Sequence, residues 1–281
     1  MAKHLGDGES FDRNWVETQE AHYLHWTREK PANQIQLAFR QHWLTFQELL
    51  PTDLLGRRVL EVGCGRGSLS AYFADAGWDC TLLDISEAAI DLARGAFARH
   101  DLKARFEVGD CLNMSFETGS FDLVFSIGLL EHFEEIEAAI AEQVRILAPG
   151  GVFIGYVVPH IPENVQKDHA WICDILAAII PANPAAAKTP VFRSDDLSPP
   201  YLRAMEKAGL SALGASGTYP LPMISNSPDF PFTLLPPAAE RILVDHFETM
   251  LEARRKEGGG SNPWFCEETE GQAFLVWGRK S

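Results

Sequence analysis

The 281-residue chain has no long basic run; the nearest is Arg254-Arg255-Lys256, in a protein of formal net charge −15. A nucleic-acid backbone is held by concentrated positive charge, so DNA and RNA are not expected partners, and the basic triplet reads as a solvated helix face. The five cysteines (Cys64, Cys80, Cys111, Cys173, Cys266) are odd in number and contain no C-x-x-C pair. Neither a disulfide framework nor a metal site is therefore expected, and a reducing compartment is. No apolar run is long enough to cross a membrane; the most apolar, 170 to 180, carries Asp174. The opening MAKHLGDGES lacks the charged-then-apolar order of a secretion leader. The expectation is a cytoplasmic protein with no membrane partner. Internal repeats are absent, and Gly258-Gly259-Gly260 is the one low-complexity tract.

What is present is 46% hydrophobic residues, enough for one large core with additions. Residues 11 to 50 read as two helices split near Pro31, with Phe11, Trp15, His22 and Trp26 on one face and Ile35, Phe39, His42, Phe46 and Leu49 on the other. From Arg58 short β-like runs alternate with amphipathic stretches: 58–63, 80–85, 104–109, 121–127 and 151–158, with a helical face of Phe133, Ile136, Ile140, Val144 and Leu147 ended by Pro149-Gly150-Gly151. Further strands are expected near 213–219 and 272–279, and helices near 199–208 and 238–256. Near-continuous apolar strands alternating with helices imply a parallel sheet covered on both faces. The expected fold is α/β, Rossmann-like and doubly wound, a mostly parallel seven-stranded sheet. Residues 1–54 would form a helical cover, 55–158 the cofactor core, and 159–281 the rest of the core with proline-rich lid insertions.

The stretch VLEVGCGRGSLS, 59 to 70, places Gly63, Gly65 and Gly67 two apart after an apolar run. A dinucleotide loop G-x-G-x-x-G starting at Gly63 would need glycine at 68, where Ser68 stands, which weakens a nicotinamide reading. E-V-G-C-G-R-G instead resembles the first motif of class I S-adenosylmethionine (SAM)-dependent methyltransferases, and the resemblance extends over residues 55 to 158. It implies SAM as cofactor and S-adenosylhomocysteine as product. It further implies that Glu61 meets the methionyl ammonium and that Gly63, Cys64, Gly65 and Gly67 form the loop under the amino-acid part. Asp84, followed by Ile85, would hold the ribose hydroxyls, and Asp110, Cys111 and Leu112 the adenine. Ser126 and Ile127, with Gly128, would leave the fourth strand beside cofactor and substrate. Each feature alone has a plain alternative, a strand-to-helix turn or a helix cap; their order on successive strand ends is what carries the resemblance.

SAM brings an activated methyl group, so the protein has to align a nucleophile, exclude water and accommodate a proton. His132, just past the fourth strand, is the acid/base candidate; the other reading makes it a helix-start residue packed among Leu129, Leu130 and Phe133. Glu131 reads as structural, its charge favoured at a helix start. Trp15, Tyr23 and Trp26 either cover the sheet or close over the cofactor or acceptor, and Tyr156 and His160 are candidates to face the acceptor. His169 and Trp171 are candidates of the same kind, the other reading of each histidine being a surface or packing residue, and the segment 219–232 and Asn262-Pro263-Trp264-Phe265-Cys266 remain open between pocket wall and surface connection. The expected function is methyl transfer to a small molecule by a monomer or homodimer. The alternatives are a SAM-cleaving or SAM-cyclising enzyme and a SAM-binding regulatory protein without turnover.

Overall fold

A computed structural model of the chain describes residues 24–160, 170–179, 192–224 and 235–281. Helix α1 (Gln34–Leu49) is capped by Asn33, whose Oδ1 accepts the Gln36 amide at 2.9 Å. Strand β1 (Arg58–Val62), helix α2 (Ser68–Asp75), β2 (Asp79–Asp84), α3 (Glu87–Arg99) and β3 (Arg105–Val108) follow in alternation. The Ser86 hydroxyl caps α3 through the Ala89 amide. Next come β4 (Phe121–Ile127), a 3₁₀ turn (Leu130–His132), α4 (Ile136–Arg145), β5 (Leu147–Val157), α5 (Ala170–Ile179), α6 (Ser198–Lys207) and β6 (Leu210–Thr218). The chain ends with α7 (Pro237–Glu257), β7 (Phe265–Cys266) and β8 (Ala273–Lys280).

The sheet order is β3-β2-β1-β4-β5-β8-β6-β7. The first five strands run parallel, β8 inserts antiparallel between β5 and β6, and β7 pairs antiparallel with β6. The seven expected strands are all there, and the two-residue β7 at the edge makes eight. Strands β1 and β4 are buried almost end to end, because helices lie on both faces. One face packs Val59, Leu82, Phe125 and Tyr156 with Phe46 and Phe73, and the other packs Val62, Val124 and Phe153 with Ile140 and Tyr201.

Three expectations of local structure are corrected. Residues 24–33 are not helical; Pro31 disfavours helix at the residue before it, and the segment runs along α2 instead. There the His25 amide donates to Ser68 Oγ (3.0 Å), Trp26 packs on Tyr72, and Arg28 pairs with Asp75 (2.7 Å). The Pro149-Gly150-Gly151 sequence does not separate helix from strand. It lies inside β5, and the β4–β5 register shifts between Phe121 and Leu123 to absorb it. The helix after β4 starts at Ile136, so Phe133 follows the 3₁₀ turn and is not on α4.

Candidate functional site

Strand order reverses direction at β1, with β2 on one side and β4 on the other. In an open α/β sheet the crevice beyond the carboxyl ends of the strands at such a switch point is where ligands sit. The chain leaves β1 through Gly63, Gly65 and Gly67, all at positive φ (69°, 50° and 71°), the region that only glycine enters at no steric cost. The turn is tied to its neighbour strand: the Gly63 and Cys64 amides donate to Leu83 O at 2.8 and 3.0 Å. Gly67 also opens α2, and a β-carbon there would run into Leu82 and come within 3.1 Å of Phe97.

Two carboxylates flank this turn. Asp84 ends β2, its Oδ2 accepting the Gly65 amide (2.8 Å) and its Oδ1 the Ser86 amide (2.9 Å). An ionised carboxylate accepts at about four sites, and the two amides fix the orientation of the others. Glu61, on β1, is 3% exposed and accepts the Ser70 amide at 3.2 Å. No cationic side chain among the described residues pairs with it. Burial pushes its pKa up to about 8, the Ser70 contacts offset part of the rise and the Asp84 charge adds to it. A buried, uncompensated carboxylate beside backbone amides fits an ammonium group. Ile85 lies exposed at the end of β2, an apolar face suited to a planar base.

Asp110 follows β3 and accepts the Leu112 amide through Oδ1 (2.9 Å). Cys111 is buried; burial first, then the Asp110 charge, pushes its thiol up to about 12, so it stays protonated. At the end of β4, Ser126 is fully buried, its Oγ without a hydrogen bond among the described residues. Ile127 is partly buried, and the Gly128 amide donates to Tyr156 O at 2.9 Å. Leu129 then lies over Gly63, close enough to meet a β-carbon there at 3.0 Å.

The residues expected to face an acceptor are spread more widely. Trp15 and Tyr23 lie outside the described residues, as does His169. Trp26 is a correction: its ring sits between Tyr72 and His100 with the Arg28 guanidinium 5.1 Å from it, and His100 closes the end of α3 remote from the glycine turn. It is core packing on α2 and α3. His160 has an exposed side chain and joins the fold through its amide, which donates to Ser194 O. His132 is partly buried and its Nδ1 lies 2.6 Å from Phe192 O, which makes that nitrogen the proton-bearing one. Glu131 is buried and its pKa is raised to about 7 by desolvation. Tyr156 is buried near the end of β5, its hydroxyl turned to Thr218.

Around Tyr156 the structure gathers His25, Phe39 and His42, which sequence reasoning did not single out as a site, with Tyr219 and Trp264 from the two segments left open between pocket wall and surface connection. His25 lies 4.9 Å from Phe39 and Phe39 5.6 Å from His42, measured between ring centroids. His42 in turn lies 4.5 Å from Tyr156 and 5.5 Å from Trp264, which is 4.8 Å from Tyr219. Trp264 is fully buried, and its Nε1–H donates to His42 Nδ1 at 3.1 Å. The helical spacing of Phe39, His42 and Phe46 was visible, but it is the same signal as plain core packing.

A parallel sheet with a glycine turn at its switch point and acidic residues on neighbouring strand ends defines a nucleotide-cofactor-binding α/β protein. A family model described as a methyltransferase domain matches residues 59–151. Ajmaline N-methyltransferase of Rauvolfia serpentina is 36% identical over 113 residues, 39% of this chain and 38% of that one. The chloroplastic tocopherol O-methyltransferase of Arabidopsis thaliana is 40% identical over 130 residues, 44% of this chain and 37% of the relative. The chain thus spans less than half the length of these curated relatives. A solved SAM-dependent methyltransferase of Thermotoga maritima, a possible histamine N-methyltransferase, shares the fold with a TM-score of 0.55 and 16% identity, over 97% of this chain and 99% of that one. Residues 59–151 carry this methyltransferase domain, of the class I SAM-dependent kind, whose cofactor is S-adenosylmethionine.

Proposed function

We propose that the protein transfers a methyl group from SAM to a small-molecule acceptor. The observation that carries this reading is the glycine turn set between the buried Glu61 and the backbone-anchored Asp84, inside the segment that matches the methyltransferase domain. When bound, SAM supplies a methyl group on a positively charged sulfur, already activated for displacement. The chain's own contribution is binding, alignment and exclusion of water. Glu61 takes the ammonium and Asp84 the ribose hydroxyls. Ile85, Asp110, Cys111 and Leu112 surround the adenine. Cys64, Ser126 and Ile127 close the cofactor side, and His132 is the candidate to accept a proton from an acceptor that carries one. The relatives named above, one for a nitrogen and one for an oxygen by their names, support a small molecule and leave the receiving atom open. Residues 1–54 serve as cover and 159–281 as the acceptor half. No helix among the described residues is long and apolar enough to cross a membrane.

Purified protein incubated with methyl-deuterated SAM and a metabolite extract is expected to yield a labelled small molecule and S-adenosylhomocysteine by mass spectrometry. Methylthioadenosine with no labelled acceptor would replace this reading with a SAM-cleaving one. Binding of SAM with no product would replace it with that of a binding protein.

Glu61 gives cofactor binding a pH dependence. Its pKa in the free protein is raised to about 8, so below that pH the group carries a proton that the incoming ammonium must expel. Affinity for S-adenosylhomocysteine is expected to rise by about tenfold per unit between pH 6 and 7. Calorimetry in two buffers of different ionisation enthalpy should record close to one proton released at pH 6.5. The Glu61→Gln variant should bind more weakly and lose that slope; a slope equal to the wild type's would assign the proton elsewhere.

A further inference from the structure

We infer that His42 donates a hydrogen bond from Nε2–H to an oxygen atom of the acceptor, next to the atom that receives the methyl group, and that the acceptors are planar, oxygen-bearing molecules. This rests on the methyl-transfer reading above. The position of His42 comes from register. Its imidazole lies 4.5 Å from the Tyr156 ring, and Tyr156 pairs with Ile127, the last residue of β4. The ring therefore stands at the carboxyl end of β4, where the chain turns through Gly128 toward the glycine turn.

Its chemical state comes from Trp264. The indole N–H can only donate, so Nδ1 of His42 is an acceptor and the ring proton belongs on Nε2. The tautomer is fixed from outside. Asn262 accepts the Trp264 amide (2.9 Å) and donates to Thr45 on α1 (3.1 Å), while Arg254 on α7 binds Pro263 O and Phe265 O (3.1 and 2.9 Å). Burial holds the imidazole neutral, its pKa down to about 3. Nε2 makes no hydrogen bond among the described residues, although the residue is only 3% exposed. That N–H is left to donate, and an oxygen atom of the acceptor can take it.

The surroundings define the class. Phe39, on the sheet-facing side of α1 between His25 and His42, is only partly covered, and Tyr156 forms the other wall. Flat aromatic walls with one neutral donor suit a planar ring that carries a lone pair. No carboxylate among the described residues is hydrogen-bonded to His42 or Trp264, and the one whose charge reaches Tyr156, Glu131, is pushed by burial toward its protonated form. The contact is to a neighbouring oxygen because a hydrogen bond to the reacting atom would occupy the lone pair that attacks. His42 is thus a positioning and specificity residue, and Trp264 acts through it.

The test uses the full chain saturated with S-adenosylhomocysteine, 4-nitrophenol as planar oxygen probe and tetramethylammonium as cationic probe, with calorimetry as readout. Wild type is expected to bind 4-nitrophenol more tightly than tetramethylammonium. His42→Phe should weaken 4-nitrophenol by roughly three- to tenfold, the contribution of one hydrogen bond. His42→Gln, which keeps an N–H at similar reach, should lose less. Affinity for S-adenosylhomocysteine should be the same in all three. Trp264→Phe keeps the ring and removes the N–H; in ¹⁵N spectra at pH 7 the single Nε2–H tautomer of His42 should become a mixture. Equal 4-nitrophenol affinities in wild type and both His42 variants, no 4-nitrophenol binding, preference for the cation, or an unchanged tautomer would each overturn the inference with the methyl-transfer reading intact. Failure of wild type to bind S-adenosylhomocysteine would remove that reading and this inference together.

Discussion

Asp84→Ala is expected to lower affinity for S-adenosylhomocysteine by roughly 10- to 100-fold, and two separate losses contribute. The first is the charge-assisted bond to a ribose hydroxyl, about 1.5 to 3 kcal/mol, or roughly one to two factors of ten. The second is preorganisation. Gly65 and Ser86 donate to the two oxygens of this carboxylate, so its removal leaves two amides without an acceptor and frees the turn that the cofactor must meet. Asparagine at this position would not restore the site, because a side-chain amide offers one oxygen where two N–H groups converge. The Asp84→Asn variant should therefore lie close to the alanine variant. Since the free protein also loses the anchor, its melting temperature should fall, and affinity is best measured by calorimetry well below the transition. An affinity equal to wild type in a folded Asp84→Ala protein would take the ribose away from β2.

The contrast between the two halves of the site follows from how each is built. The proposed cofactor half is made of residues at strand ends, Glu61, Asp84, Asp110 and Ser126, each next to a run of β-like sequence and three of them near a glycine. Strand, turn and carboxylate are local in sequence, so their order could be read directly. The aromatic wall is built otherwise. His42 and Trp264 are 222 residues apart and meet through one hydrogen bond. Nothing local distinguishes His42 from Phe46, which occupies the same helix face and packs on Phe125. Trp26 went the opposite way: its spacing from Trp15 suggested a helical stripe, but residues 24–33 are not helical, and the indole goes into the core beside Tyr72. The Pro149-Gly150-Gly151 sequence was read as a boundary between helix and strand, but a register shift lets one strand continue through it.

Gly67→Ala should give the largest loss of stability, because one methyl group meets two separate obstacles. At φ 71° an L-residue is strained by about 1 to 3 kcal/mol. The new carbon also collides with Leu82 and crowds Phe97, both fully buried and unable to retreat; overpacking of this kind costs about 1 to 3 kcal/mol more. A total of about 2 to 6 kcal/mol corresponds to a fall in melting temperature of roughly 3 to 10 °C for a chain of this size. Gly77 separates the two contributions. It has φ 80° but no atom within 4 Å of the β-carbon position, so Gly77→Ala carries strain without collision and should fall by only about 1 kcal/mol, the low end of that strain. Cofactor binding should divide the pair further. Gly67 sits in the turn and starts α2, so pushing Leu82 aside disturbs the β2 end that carries Asp84, whereas Gly77 lies at the opposite end of α2 and its variant should bind S-adenosylhomocysteine like wild type. Equal melting temperatures for the two variants would mean that Leu82 and Phe97 give way freely, and that the glycine at 67 is needed for its backbone angle alone.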